Sequence, residues 1–409
     1  MKRWLAIVIV LLLFLTGCQN ETLLFPEQVV TEPTRGEDIE PTMEYGWTDG
    51  ESPVPDTRIG LVRAGLNSTD HAVSPTGIYF IQKPSEFGDA SYIIYADNGS
   101  DTFIKLCGRP DCTHSTPDCN AYVYQGSDIT YKDGYLYVIS GEGQTTESCR
   151  LLRMNPDGSN HVELLDLVAF AKENGGNSIV CERMTDGYCL FSIYRWEVTQ
   201  GEQIGSSSMK PIHTGYYYYK LDGSMKEPAK AHTGGLACYD CGDVFLTYFP
   251  EAQNGGALGS YWDWDPVTNE ASFLTDHPGQ PGWFGKEQGF YFMDGAIHRL
   301  TYATGTDEIM VDTGLEGDYY AFFFPDCVVV ASDEDNSSDK NLYIYNWSFD
   351  LLDTVSINVP STDRTQDMLV AETAERLILA GSYRGMPRYY INKAELGTGD
   401  VKLHKFQYS

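Results

Sequence analysis

The chain is short of positive charge: 28 Lys and Arg stand against 58 Asp and Glu in 409 residues, a formal net charge of −30. Such a surface repels nucleic acid and anionic lipid headgroups, which excludes both as electrostatic partners. Helical periodicity is scarce as well. Beyond the first eighteen residues no stretch holds an apolar stripe at helical spacing for more than about two turns, and "LLDLVAFAKENGG" from Leu164 comes nearest. Catalytic signatures are missing too. There is no S-x-D-x-G-x-T-W box, no G-x-S-x-G elbow and no family of tryptophan-rich repeats. Those absences leave sialidase, prolyl-peptidase and quinone-dehydrogenase chemistry unsupported. Paired carboxylates for glycoside cleavage stay open, because they would come from distant parts of the chain.

What is present begins at the N-terminus. Lys2 and Arg3 precede an apolar run from Trp4 to Leu15, which closes in "LTGC", Leu15 to Cys18. Twelve apolar residues are too few to span a bilayer as a helix, where about 20 are needed, and suit a signal-peptide core. The "LTGC" ending resembles the lipobox of bacterial lipoproteins. The resemblance implies cleavage after residue 17, diacylation of Cys18 and anchoring on the extracellular face of the cell membrane. Two acyl chains suffice for a stable anchor. Residues 18–57 then read as the lipidated cysteine and an acidic spacer, with five prolines and a single arginine between residues 19 and 57. Removal of Lys2 and Arg3 leaves 26 basic against 58 acidic residues, a net −32.

From residue 58 to 409 the chain repeats itself. "PTGIYFIQK" at 75, "KDGYLYVIS" at 132, "TDGYCLFSI" at 185, "CGDVFLTYF" at 241, "EQGFYFMDG" at 287, "PDCVVVASD" at 325 and "AERLILAGS" at 374 share one form. Each is a turn followed by an apolar strand, and a second strand follows, as in "SYIIYADNGSD" and "RLLRMNPDGSNHVEL". Seven units of about fifty residues match the forty to fifty that a four-stranded blade needs. The expectation is an all-β chain forming a β-propeller of seven four-stranded blades, with six or eight as alternatives. The unit from Asp133 to Leu165 resembles the bacterial propellers related to the YWTD propeller of the low-density-lipoprotein receptor, and "YWDWD" from Tyr261 to Asp265 is the segment nearest to that motif. Together with the lipobox and a C-x4-C-x-H-x4-C insert, the chain resembles uncharacterised lipoproteins of Gram-positive bacteria. That resemblance implies a fold and a location and brings no reaction.

The insert, "LCGRPDCTHSTPDCNAY", places Cys107, Cys112, His114 and Cys119 within thirteen positions. It lies between "TFIKLC" and "AYVYQG", read as the last strand of the first unit and the first strand of the second. Three thiolates and an imidazole make a complete tetrahedral set for a structural zinc, although the spacing is not that of two C-x2-C arms. Outside a cell disulfides are the default, so a disulfide, a zinc-like metal and free thiols all stay open at these four residues. A full set leaves no position for substrate, and the expected role is structural.

For a ligand, "GQPGWFGKEQ" puts Trp283 and Phe284 in a Gly/Pro loop where core packing is a poorer explanation for them. Tyr216 to Tyr219 read as a strand covered on both faces, and "DEDNSSD" from Asp333 as a hairpin loop rather than a calcium loop, since Ile344 stands where a closing Glu is needed. The functional expectation is a membrane-tethered propeller that binds or scaffolds an extracellular glycan or protein ligand, without catalysis. The alternative is a secreted polysaccharide hydrolase or lyase.

Overall fold

The computed structural model describes residues 71 to 409, apart from 84–89, 115, 142–147, 185–186, 201–206, 232–236, 241–244, 254–255, 266–269, 278–280, 285–286, 317–318, 333–338, 359–367 and 381–386. The signal segment, Cys18 and the spacer lie outside the described residues. From residue 71 onward the chain runs through seven antiparallel sheets in sequence order. Six of them have four strands, as in the sixth: Tyr319–Phe323, Val328–Ser332, Asp339–Tyr345 and Leu351–Asn358. The first has six. A single α-helix among the described residues, Leu167–Glu173, follows the second sheet. It starts at Asp166, whose carboxylate accepts the Ala169 N–H at 2.9 Å. This is the segment singled out above for its helical spacing.

Period-two alternation explains how the sheets join. In the strand Gly77–Gln82, Tyr79 and Ile81 enter an apolar cluster with Ile129, Leu136 and Val138 of the second sheet. Their neighbours Ile78 and Phe80 enter another with Ile378 and Tyr390 of the seventh. Tyr137 and Ile139 face Phe191 and Ile193 of the third sheet. Val328 and Val330 face the fifth sheet, while Val329 and Ala331 face the seventh. Each second strand therefore divides its side chains between two neighbours. That is why these strands read as continuous apolar runs rather than as alternation with a wet face.

The first strands lie innermost. His71–Ser74 touches both Ile129–Lys132 and Met368–Glu372, and Ser178–Met184 touches Ala237–Asp240. The seventh sheet returns to the first through Phe406, whose ring lies 4.8 Å from Phe103 and 4.6 Å from Tyr390. Beyond it, Gln407–Tyr408 pairs in parallel with Thr102–Phe103 of the first sheet. Sheets arranged radially around an axis and closed by the chain's last strand are a β-propeller. The turns follow the sequence: Asp133-Gly134 and Asp294-Gly295 have φ of 49°, 83°, 50° and 77°, the left-handed pair that a tight hairpin requires.

Two elements differ from the sequence reading. "AYVYQG" does not open the second sheet. Tyr122–Tyr124 instead pairs with Ala90–Asp97 of the first, Tyr92 opposite Tyr122 and Ala90 opposite Tyr124. Thr102–Lys105 pairs with the other end of that same strand. The cysteine insert thus interrupts the outer strand of one sheet and does not connect two. Trp283 and Phe284 also leave their expected loop: Pro281–Phe284 is the first strand of the fifth sheet, with a bulge between Pro281 and Trp283. A proline opening a strand needs no ladder N–H, and Gly282 accommodates the bulge.

Candidate metal centre

The insert leaves the outer strand at Leu106 and rejoins it at Tyr122. Its two ends are held side by side: the Leu106 N–H donates to Ile93 O at 2.9 Å, and the Ile93 N–H donates to Ala121 O at 2.8 Å. Between those ends the chain turns three times on short hydrogen bonds: Cys107 N–H to Lys105 O, Cys112 N–H to Arg109 O and Cys119 N–H to Thr116 O. His114 adopts φ of 53°, left-handed for a residue with a side chain. Histidine visits that region more readily than most residues, and a local interaction must repay the strain.

The result is convergence. Sγ of Cys107, Cys112 and Cys119 and a ring nitrogen of His114 all lie within 4.8 Å of one another. His114 Nδ1 is 3.4 Å from Cys119 Sγ, so Nδ1 is the nitrogen that faces the cluster. Cys119 is 2 % exposed, and the other three are half-buried. None of the seven described cysteines is in a disulfide.

Each sulfur accepts a backbone N–H from two residues ahead. Cys112 accepts from His114 at 3.4 Å. Cys107 accepts from Arg109, and from Asn120 as well. Cys119 accepts from Ala121. N–H groups aimed at sulfur favour the thiolate over the thiol. Burial raises the Cys107 pKa, but the Arg109 and Asn120 N–H groups, with the Cys112 and Cys119 side chains, outweigh it and hold this thiol below its ordinary value. Cys119 moves the other way, to about 11, through burial first and then through its bonds to Cys112 and Cys107.

The surroundings support the loop from two sides. Lys105 Nζ donates to His114 O at 3.1 Å and lies 4.5 Å from the Tyr92 ring centre. Arg109 donates to Asp118 O at 2.9 Å. Toward the second sheet, Gly158 approaches so closely that a Cβ there would stand 2.5 Å from Leu106 O. His161 Nε2 lies 3.0 Å from Asn120 O and 2.8 Å from Gly158 O. Cys107, Cys112 and Cys119 pack into the same apolar cluster as Leu106, Leu152 and Met154. Sequence reasoning singled out the four residues that converge. It missed Lys105, an ordinary strand lysine in "TFIKLC", and Gly158 and His161, whose only signal is "NPDGSNH", a turn indistinguishable from the chain's other turns.

A second feature lies in the third and fourth sheets. Strand Tyr188–Gln200 pairs with Ser207–Lys220 along its whole length, yet Ser178–Met184 reaches only to Tyr194, and Ala229–Lys230 covers only Tyr217 and Tyr218. Residues 195–200 and 207–213 therefore leave the sheet as a two-stranded ribbon, with the His213 ring 5.2 Å from that of Tyr194 and 4.2 Å from that of Tyr216 at its base. Phe245–Gln253 and Gly256–Asp265 likewise pair beyond Ala237–Asp240, and residues 251–253 with 256–258 form a second, shorter ribbon. Of the Tyr216 to Tyr219 run expected to be covered on both faces, Tyr217, Tyr218 and Tyr219 are buried and Tyr216 is half-buried.

No family model matches this chain, and no curated protein matches it either. Solved structures resemble it at low identity. The acylaminoacyl peptidase of Pyrococcus horikoshii is 10% identical with a TM-score of 0.48, over 82% of this chain and 52% of that one. The β-propeller domain of the Trilobed protease from Pyrococcus furiosus is 12% identical with a TM-score of 0.41, over 72% of this chain and 86% of that one. TolB from Acinetobacter baumannii is 11% identical with a TM-score of 0.37, over 72% of this chain, which spans 64% of TolB. A likeness this distant says nothing of what the chain binds, and the fold stands on its own sheets.

Proposed function

We propose that this chain is a lipid-anchored β-propeller on the extracellular face of the cell membrane that binds a carbohydrate or peptide ligand. The observation that carries the reading is the pair of ribbons, residues 195–200 with 207–213 and the shorter 251–253 with 256–258, which leave adjacent sheets beyond the reach of their flanking strands. A two-stranded ribbon gains little stability by itself, so an extension of this length serves contact rather than folding. Trp283 and Phe284 lie on the first strand of the neighbouring fifth sheet, and the sequence reading that offers them to a ligand belongs to this proposal. Anchoring rests on "LTGC" and Cys18. The net charge of −32 after removal of the signal favours a neutral or cationic ligand. Kinship with the Gram-positive lipoproteins that carry a YWTD-related propeller belongs to the same reading.

The test is binding by the lipidated chain in detergent micelles to arrayed glycans and peptides, beside a variant in which residues 197–211 are replaced by an Asn-Gly turn. The expected result is saturable binding that the trimmed variant loses at least tenfold while its melting temperature holds. Binding indifferent to that trimming would contradict the reading. Turnover of a polysaccharide, lost on replacing a single carboxylate, would establish the hydrolase or lyase in its place.

A further inference from the structure

We propose that Cys107, Cys112, His114 and Cys119 bind one zinc ion, and that this ion staples the interrupted outer strand of the first sheet against the second. The residue set is the first support. Three sulfurs and one imidazole nitrogen form a closed tetrahedral site, which selects zinc over hard cations and leaves no position for substrate. Zinc–sulfur bonds of ~2.3 Å and zinc–nitrogen bonds of ~2.0–2.1 Å imply nitrogen–sulfur edges of about 3.6 Å. The His114 Nδ1 to Cys119 Sγ distance is 3.4 Å, and all four donor atoms fit within 4.8 Å.

The backbone is the second support. Each sulfur receives the N–H two residues ahead. Such outer contacts orient ligands and delocalise thiolate charge at metal sites. A disulfide could join only two of the three sulfurs. It would leave the third thiol, its N–H donor and the left-handed His114 without a reason. A zinc with three thiolates and a neutral imidazole carries a net charge of −1. Lys105 bonded to His114 O and Arg109 bonded to Asp118 O lie close by to balance it. On binding, zinc replaces the remaining thiol protons, which pass to solvent.

Energetics give the third support. The described residues of 106–121 hold no helix or strand, and ordering a backbone costs conformational entropy at every residue. A structureless loop of this length inside a compact domain needs its own source of order, and a structural zinc supplies folding energy outright. Place matters as well. The loop's two ends pair with one strand, Ala90–Asp97, and the first piece of the outer strand is also where Gln407–Tyr408 closes the ring.

The test uses the whole chain purified without chelator. Elemental analysis and native mass spectrometry should find one zinc per chain. Cobalt(II) exchanged into the site should give tetrahedral ligand-field bands with thiolate charge transfer. Cys112→Ser should weaken metal affinity at least tenfold, and His114→Ala should shift the ligand-field bands while keeping the charge transfer. Hydrogen exchange on the unmodified chain needs no variant. Chelation should speed exchange of the Ile93, Leu106 and Tyr122 amides about tenfold or more and leave Val328–Ser332 unchanged. The proposal is overturned if zinc buffer loads no metal, if a two-hydrogen mass deficit maps to the Cys107–Cys119 peptide, or if chelation leaves those three amides protected.

Discussion

Among the described residues cysteine occurs in two settings, and the contrast separates two ways of holding a sheet. Between the sixth and seventh sheets, Cys327 is 2 % exposed within an apolar seam of Val329, Ile344, Leu377, Leu379 and Ile391. Burial first, then the negative charge of Glu372, pushes its thiol far above the ordinary value. It behaves as a small apolar side chain. At the rim of the first and second sheets, Cys107 meets N–H groups that push its thiol the other way. The seam needs only apolar volume, since side chains from two strands fill it. The rim loop holds no helix or strand among its described residues, and under the zinc proposal its order rests on what its sulfurs bind. On that proposal surroundings, not residue type, decide whether a cysteine here is filler or ligand.

The sharpest way to break the contrast is to injure the seam. Lys393 bonds Glu372 at 2.8 Å and also pairs with Asp326, with side-chain exposures of 14% and 3% for Lys393 and Glu372. Lys393→Ala strands a buried carboxylate and should cost about 3–5 kcal/mol, measured by denaturant unfolding with zinc saturating. Leu379→Ala, in a fully covered position, should cost about 2–5 kcal/mol. Neither change should depend on chelator. Cys112→Ser behaves oppositely: its stability loss should be clear in zinc buffer and vanish in chelator, because both proteins then lack the ion.

The smallest effect concerns acid. Burial raises the Glu395 pKa, but the Asn392 side chain, the Lys402 N–H and His404 outweigh it and hold the carboxyl at about 2. A carboxylate depressed on folding contributes stability above its unfolded value of 4.5, and that stability is lost as pH falls toward about 2. Glu395→Gln should remove this share of the acid transition, about 1 kcal/mol or less for a partly exposed group. A melt series across that window checks it.

The sequence displayed the fold through its second strands. "GIYFIQ", "YLYVIS" and "RLILA" are apolar at every or nearly every position because each faces two seams, and the Asp-Gly turns between strands have only one comfortable backbone. The inner and outer strands were hidden. His71–Ser74 and His404–Lys405 are short and partly exposed, so neither carries a clear period. The insert's candidate ligands were legible from type and spacing. Its location was not, because "AYVYQG" resembles any strand, and only the pairing of Tyr122 with Tyr92 assigns it to the first sheet. The ribbons were illegible for a similar reason. Tyr188–Gln200 keeps the same alternation inside the sheet and beyond it, and only the ends of its neighbours mark where the sheet stops.

The claim that the rim cysteines are ligands while the seam cysteines are filler is tested most directly by X-ray absorption at the zinc edge on the chain as purified. The account predicts a shell of three sulfurs at ~2.3 Å and one nitrogen at ~2.0–2.1 Å, unchanged in a Cys327→Ala variant and lost in a Cys107→Ser, Cys119→Ser double variant. A shell of oxygen and nitrogen alone, or a sulfur shell that survives the double variant, would contradict it.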